Sequence, residues 1–343
     1  MRQREVESGT TDTKTKGDKM NILILSAGTR DKVVRYFRKT LTGKGNVIAT
    51  DCWELAPAIY EADRHYIVPR ITDKNYISTI LDICKKEKIN GVLSLIDPEL
   101  SLLAKHRQEF KDIGVTCIVS PQTAVDMAFD KMAMCRFCKA NDINTINSFD
   151  SIEEFLIAKD KGEIDFPVFV KPICGSCSIN IQKVNDIETL QDLYRRYDNL
   201  MIQEFMQGQE IGADVYIDPI SKQVVSIFTK KKILMRAGET DKSVSFKDEK
   251  LFKFIENFVS KAGYLWNIDI DVFEKNGEYY ISEVNPRFGG GYPHAYECGC
   301  DFMSLIENNL RGNANPKNIG DYKENIYMMK YLDLMIKEGD GLR

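Results

Sequence analysis

In the stretch YYISEVNPRFGGGYP, Tyr279 to Pro293, a carboxylate, an amide and a guanidinium fall at alternate positions and three glycines follow. Side chains at i, i+2 and i+4 of a strand share one face. Glu283, Asn285 and Arg287 are therefore expected to point the same way, with Ile281 leading into them. Just upstream, in GYLWNIDIDVFEKNGEYYI, Asn267, Asp269 and Asp271 alternate with Ile268, Ile270 and Val272, and Lys275-Asn276-Gly277 closes a hairpin. The pairing sets Asp269 or Asp271 opposite Glu283 and Asn285. Oxygen donors grouped in this way suit a hard cation such as Mg²⁺, which keeps several waters and takes a few carboxylates together with phosphate oxygens. The rival explanation is an edge strand with a solvated polar face, and Pro286 favours it, because proline is confined to strand ends and edges.

The elements that must position these groups begin at Asn21. Strands NILILSAG, NVIATD, GVLSLI and TCIVS alternate with helices through Val33 to Thr40, Tyr76 to Glu87 and Leu100 to Phe110. That order predicts an open, doubly wound parallel α/β sheet. Ligands gather at the carboxyl ends of strands in such sheets, which marks Arg30, Asp51, Asp97 and Glu99 as candidates. Neither the G-x-G-x-x-G dinucleotide fingerprint nor the G-x-x-x-x-G-K-[ST] phosphate loop occurs, so phosphate chemistry would need another device. Further along come helices over 126–140 and 151–160, strands FPVFVKP, INIQKV and LMIQEFM, a helix over 186–198, a meander through ADVYID and QVVSIFTK, and a helix over 248–262 before the hairpin. This mixed order predicts two α+β lobes. The expected organisation is a tail at 1–20, the parallel-sheet unit at 21–125, and the two lobes at 126–205 and 206–343.

The 343 residues, 43% hydrophobic and 29% charged with a formal net charge of −4, read as a soluble chain. They carry no electrostatic footprint for nucleic acid, and Lys230-Lys231-Lys232 is too short to supply one. A small-molecule partner is expected instead. No apolar run approaches a membrane-spanning length and the N-terminus lacks a signal peptide, which points to the cytoplasm. Residues 1–20 are polar and poor in aromatics, the composition of a disordered tail, and Met20 is a candidate working start. Among nine cysteines, Cys135-x-x-Cys138 and Cys174-x-x-Cys177 look like zinc half-sites. The first lies in a helical pattern and the second in a loop far away, so reduced thiols acting as small apolar side chains are expected.

These residues together resemble the ATP-grasp superfamily, in particular single-copy proteins similar to one half of the carbamoyl-phosphate synthase large chain. The likeness runs from NILILSAG through the hairpin and is strongest over NID and YYISEVNPRFGGG. It implies an N-terminal pre-ATP-grasp domain followed by a two-lobed ATP-grasp fold that uses ATP and Mg²⁺ or Mn²⁺. By the same resemblance the metal ligands fall on Asp269, Glu283 and Asn285, with Asp271 as the alternative to the first, and Arg287 touches the transferred phosphoryl group. FPVFVKPICGSCSINI is similar to the family's lysine strand and phosphate-covering loop, which assigns Lys171, Gly175, Ser176 and Ser178 to the nucleotide, although this loop has one glycine where the family has two or more. Lys131 matches a second phosphate-binding residue, while an Asp-Lys pair at a helix start also serves capping. In IQEFMQGQEIGADVYI the resemblance places adenine against the backbone of Gln203, Glu204, Phe205 and Met206, and the ribose hydroxyls on Glu210. KKKILMRAGETDK resembles the basic strand near the acceptor. There Lys230, Lys232 and Arg236 share one face on alternation, and a solvated face is the competing explanation.

The implied activity is ATP-dependent carboxylate–amine ligation through an acyl phosphate, with small-molecule carboxylate and amine substrates and a homodimer through the N-terminal sheet. Two rivals use the same residues: a carbamoyl-phosphate synthase-like half enzyme acting on bicarbonate, and a nucleotide-binding module without catalysis. The three glycines are expected to let the backbone clear the substrate.

Overall fold

The computed structural model describes residues 19–175, 182–339 and 342. The tail up to residue 18 and the loop residues Ser176 and Ser178 lie outside the described residues. Strands β1 (Ile22–Leu25), β2 (Val47–Asp51), β3 (Arg64–Ile67), β4 (Gly91–Ser94) and β5 (Thr116–Cys117) pair in the order β3-β2-β1-β4-β5, all parallel. Both faces of this sheet are buried. Ile22 and Ile24 of β1 enter one core with Val33, Val34 and Phe37 of the helix Asp31–Leu41, while Leu23 and Leu25 enter another with Ile80 and Ile83 of the helix Tyr76–Glu87. That two-sided burial explains the unbroken apolar strands and makes the sheet doubly wound. β3 is a short, half-exposed edge with Arg64 and His65 in it, so its pattern carries no strand signal.

Two long helices expected from the sequence are each split. In place of Leu100 to Phe110 stand Asp97–Lys105 and Arg107–Asp112, joined at His106. In place of one helix over 126–140 stand Gln122–Phe129 and Lys131–Ala140. The second split has a cause in Asp130, which adopts extended backbone and accepts the Ala133 N–H at 2.9 Å, so that it caps a new helix and ends the old one.

β6 (Ser148–Phe149), β7 (Val168–Pro172), β8 (Gln182–Val184) and β9 (Leu200–Glu204) form a four-stranded antiparallel sheet ordered β6-β9-β7-β8, packed on Phe155, Ala158, Leu190 and Leu193 of two helices. β10 (Gln209–Ile217), β11 (Val224–Arg236), β12 (Glu239–Phe246), β13 (Trp266–Lys275), β14 (Glu278–Asn285) and β15 (Tyr327–Met329) form a six-stranded antiparallel sheet ordered β14-β13-β10-β11-β12-β15. Its apolar face, with Ile211, Ala213, Val215, Ile268, Ile270 and Val272, shares a core with Leu251, Ile255 and Phe258 of the helix Glu249–Ala262. Asp248 caps that helix by accepting the Leu251 N–H, and Gly263 ends it at φ 74°. Asn276 and Gly277 both take positive φ in the β13–β14 turn, the backbone a two-residue hairpin requires.

His294, almost fully buried in the helix Tyr292–Glu297, ties this sheet to the chain's last strand. Its Nε2 lies 2.9 Å from the Ile326 carbonyl, so that nitrogen carries the proton and Nδ1 accepts from the Ser243 hydroxyl at 2.8 Å. Burial, and then the Lys230 charge, hold the ring at about 4 against its ordinary 6.5. A base whose folded value is depressed stays neutral in the fold while the unfolded chain protonates. Its contribution to stability is therefore complete above pH 6.5 and is lost as pH falls toward 4. Thermal unfolding measured from pH 7 down to 4 is expected to show a falling Tm in this window, and His294→Gln should flatten that limb.

Candidate functional site

The second face of the six-stranded sheet is lined with titratable side chains. Residues 212 and 214 of β10 pair with 230 and 228 of β11 on one side, residues 210, 212 and 214 pair with 273, 271 and 269 of β13 on the other, and β13 in turn sets Asp269 opposite Asn285 and Asp271 opposite Glu283. The pleat delivers Glu210, Asp214, Lys230, Lys232, Asp269, Asp271, Glu283 and Asn285 to the same side. Lys230 pairs with Asp214, both about 2% exposed or less. Lys232 Nζ sits 2.8 Å from Glu210 and 2.6 Å from Asp271. Gly212 makes this possible, because a Cβ there would stand 2.9 Å from the Lys230 Cε and 3.4 Å from the Lys232 Cε.

The alternation of β14 is not regular. One extra residue, Ser282, is inserted between the Val272–Ile281 and Asp271–Glu283 pairs. The bulge sends Ile281 into the core and Glu283 to the charged face, where plain alternation had put both on one side. β14 is an edge of its sheet, as Pro286 suggested, yet its polar face lines a cavity.

The turn after β14 folds back over the same face. A Cβ on Gly289 would lie 2.4 Å from the Asp269 carboxylate, one on Gly290 2.5 Å from Glu239 Cδ, and one on Gly291 2.7 Å from Lys230 Cε. The three glycines thus make room for charged side chains of the sheet, a closer demand than clearance for a substrate. Arg287, buried at the start of the turn, donates from Nη2 to Asp97 at 2.8 Å and to Asn285 at 3.3 Å, and from Nη1 to the Phe288 carbonyl at 3.1 Å.

The opposite wall comes from the four-stranded sheet. Lys171 of β7 is 6% exposed, and burial pulls its ammonium below the ordinary range, with Glu283 first among the carboxylates that oppose this. Lys131 opens its helix, donates to the Gly175 carbonyl, and with Lys171 acts on Glu283 against the upward push of burial on that carboxyl. Gln203 is paired in the ladder to Ser148 on one side and Phe169 on the other, and its side-chain amide donates to Ser148 Oγ at 3.0 Å. Glu204 takes Lys275 at 3.0 Å and Asn147 at 3.1 Å. The ladder ends at Glu204, which leaves the backbone of Phe205 and Met206 outside it, while that of Gln203 is engaged in strand pairing.

Between these walls lies a cavity of about 380 Å³, the size of a small-molecule site. It brings together Arg30, Lys171, Gln203, Glu204, Met206, Glu210, Lys232, Asp269, Glu283, Asn285 and Arg287 from the sequence expectation, and Asp271 with them. Phe205 turns toward Phe169 and Lys183 outside the lining. Lys131 and Gly175 also stand off the lining, Gly175 in a small recess with Asp97 and Glu283. Four expected substrate residues are not part of it. Asp51 is spent on the Gly28 and Trp53 N–H groups at 2.9 and 3.0 Å. Glu99 is fully buried against Tyr76 and Ser94. Asp97 binds Arg287. Arg236 is 60% exposed beside Asp241, because bulges between Lys232 and Met235 break the alternation that had aligned it with Lys230 and Lys232.

Sequence reasoning missed Glu239, which bridges Arg30 and Lys330, both at 2.8 Å, and lines the cavity with Thr240. Its burial raises and Arg30 then lowers the carboxyl, with a net shift below the ordinary range. Only the hairpin that turns at Ala237-Gly238 aims it there, and Ala-Gly is not among the strong hairpin pairs.

The donor set fits a hard divalent cation. Burial, and then Asp271 and Asp214, push Asp269 up to about 7, and Glu283 is also raised; a cation beside them would restore their ionised forms. Among the described residues no group of three or more His, Cys, Asp and Glu stands ready as a self-contained metal cage. Cys135 and Cys138 are buried thiols, as expected of small apolar side chains, whereas Cys174 is exposed and only its backbone pairs, with Asp130. Among the described residues no helix is long and apolar enough to cross a membrane.

Comparison with known proteins adds to this geometry. Residues 22–118 match the PylC-like N-terminal domain, and 128–291 match the ATP-grasp domain. The D-alanine--D-alanine ligase of Aquifex aeolicus is 25% identical over 315 residues, covering 84% of this chain and 98% of that protein. The biotin carboxylase domain of Hydrogenobacter thermophilus 2-oxoglutarate carboxylase, solved with MgADP, ADP and bicarbonate, superposes with a TM-score of 0.72 at 17% identity over 90% of this chain and 73% of that one. The L-amino acid ligase of Bacillus licheniformis superposes with a TM-score of 0.65 at 18% identity over 87% and 75%. The two structural likenesses establish the shared fold.

Gly289→Ala tests the packing of the turn on Asp269. Overpacking at this contact is expected to cost about 1–3 kcal/mol in urea unfolding. Gly277→Ala in the exposed hairpin, strained at its positive φ but with nothing within 4 Å, separates backbone strain from that collision.

Proposed function

From a PylC-like N-terminal domain joined to an ATP-grasp domain, we propose that this chain is an ATP-dependent ligase that joins a small carboxylate to an amine through an acyl phosphate. The observation that carries the reading is the cavity itself: Lys171 of one sheet faces Glu283, Asp269 and Asn285 of another, with Arg287 at one end.

Adenine stacks among Ile146, Phe169, Met206 and Phe273 and meets the backbone at Phe205 and Met206. Glu210, fixed by Lys232, accepts from the ribose hydroxyls. Lys171 and Lys131 neutralise phosphate oxygens, and Asp269, Glu283 and Asn285 hold Mg²⁺. Held there, such an ion would supply positive charge to the phosphoryl-transfer step. Arg287 faces the transferred group, where a guanidinium matches phosphate geometry. No general base is needed for this step, since positioning and charge neutralisation dominate it.

The substrate end is drawn by Arg30 and Glu239, which both line the cavity. Arg30 suits a carboxylate and Glu239 takes an ammonium group, so an α-amino acid is the substrate class. The names of the Aquifex and Bacillus relatives support this choice. A finer likeness to a carbamoyl-phosphate synthase half would make bicarbonate the phosphoryl acceptor, supported by the bicarbonate in the Hydrogenobacter structure. The lobes divide near residues 125 and 205, and a homodimer through the N-terminal sheet completes the proposal.

An ADP-release screen over pairs of amino acids, with bicarbonate alone as a separate arm, tests the reading. Turnover is expected with an amino acid pair and not with bicarbonate. Glu283→Ala should lower ADP release about 10²-fold or more; unchanged turnover would remove the metal assignment. Glu239→Gln should raise KM for the amino acid at least about tenfold while leaving KM for ATP near its original value. An equal rise in both constants would place Glu239 outside the amine subsite.

A further inference from the structure

Asp97 and Arg287 are 190 residues apart in sequence, yet they form one of the few ion pairs here with both side chains nearly out of water, at 2.8 Å with 11% and 9% exposure. Asp97 is the first residue of its helix, followed by Pro98, and an acidic side chain there favours the helix dipole. That local benefit does not require a distant arginine. A buried ion pair is weak evidence for stability, because desolvation offsets most of the Coulomb attraction. The pair does something definite to geometry, however. Arg287 sits past the end of β14, beyond the ladder that orders Glu283 and Asn285, and its guanidinium is oriented by Asp97 on one edge and the Phe288 carbonyl on another.

We propose that Asp97 is a positioning residue for the ligase: from the N-terminal domain it sets the plane of the Arg287 guanidinium so that the cation meets the group being transferred. The inference rests on the reaction proposed above. It makes the N-terminal domain part of the catalytic apparatus, through a residue that does not line the cavity. Helix and sheet geometry make Asp97 a rigid support, because the carboxyl end of β4 at Ser94 fixes where the helix begins.

The test is a double-mutant cycle in the full-length protein. Asp97→Ala is expected to lower kcat by roughly 10²-fold with little change in KM for MgATP, the cost of a misplaced catalytic group. Asp97→Asn, whose amide oxygen still accepts from Nη2, should recover most of that loss. In an Arg287→Ala background, Asp97→Ala should have no further effect, since a residue acting only through its partner is fully non-additive with it. A readout apart from turnover is the ¹⁵N-arginine spectrum, in which restricted rotation of the Arg287 guanidinium in the parent is expected to be lost in Asp97→Ala and kept in Asp97→Asn. Equal restriction in both variants overturns the proposal, as does an Asp97→Ala kcat near the parent value or a loss of equal size in the Arg287→Ala background. If Asp97→Ala fails to fold, Asp97→Asn decides the matter: a large kcat loss with the guanidinium still restricted would overturn positioning. Absence of ADP release from the parent with every substrate would count against the reaction, while the spectra would still decide the positioning.

Discussion

The pleat of one antiparallel sheet is the constraint on which the rest depends. It sends apolar residues of β10, β11 and β13 into a core and ionised residues of the same strands to the other face. Burying charges is expensive unless they are paired, and here pairing is incomplete by design of the strands. Lys230 is matched to Asp214, and Lys232 serves both Glu210 and Asp271. Asp269 and Glu283 remain with carboxyls pushed upward by burial. The face thus holds more carboxylate than ammonium, and the surplus is concentrated where β13 meets β14. A divalent ion carried in with a polyphosphate is the partner that would balance it.

The glycines belong to the same arrangement. A turn over a densely charged face must avoid the side chains below it, and Gly289, Gly290 and Gly291 approach Asp269, Glu239 and Lys230 more closely than any Cβ could. Gly212 performs the equivalent service inside β10 for the stems of Lys230 and Lys232. Their role is to let charges pack, and the backbone then closes the cavity from below.

Much of this was legible in the sequence. Alternation at Asp269, Asp271, Glu283 and Asn285 reports directly on which face a side chain takes, and the Asn276-Gly277 turn fixes the register between the strands. The parallel sheet was legible for a similar reason, since strands buried on both faces are apolar throughout. What escaped was set by contacts that leave no periodic trace. The bulge at Ser282 moved Ile281 to the other face, and bulges near Leu234 removed Arg236 from the cavity. Starting the helix at Asp97 rather than Leu100 separated Asp97 from Glu99, because residues two apart on a helix point to different sides. One reached Arg287 and the other was buried on Tyr76. Glu239 was hidden because its position depends on a hairpin twist and on Arg30 at the start of the helix Asp31–Leu41.

The two ends of the cavity are therefore specified by different kinds of information. At the phosphate end, backbone pairing within one sheet places the donors, and a local sequence pattern encodes it. Around Glu239, Arg30 comes from the start of the helix Asp31–Leu41, Glu239 itself from a hairpin and Lys330 from the segment after β15, and they meet only through tertiary packing. A fold organised in this way can hold its phosphate chemistry constant while its substrate drifts, and the acceptor is accordingly the property that strand patterns alone do not disclose.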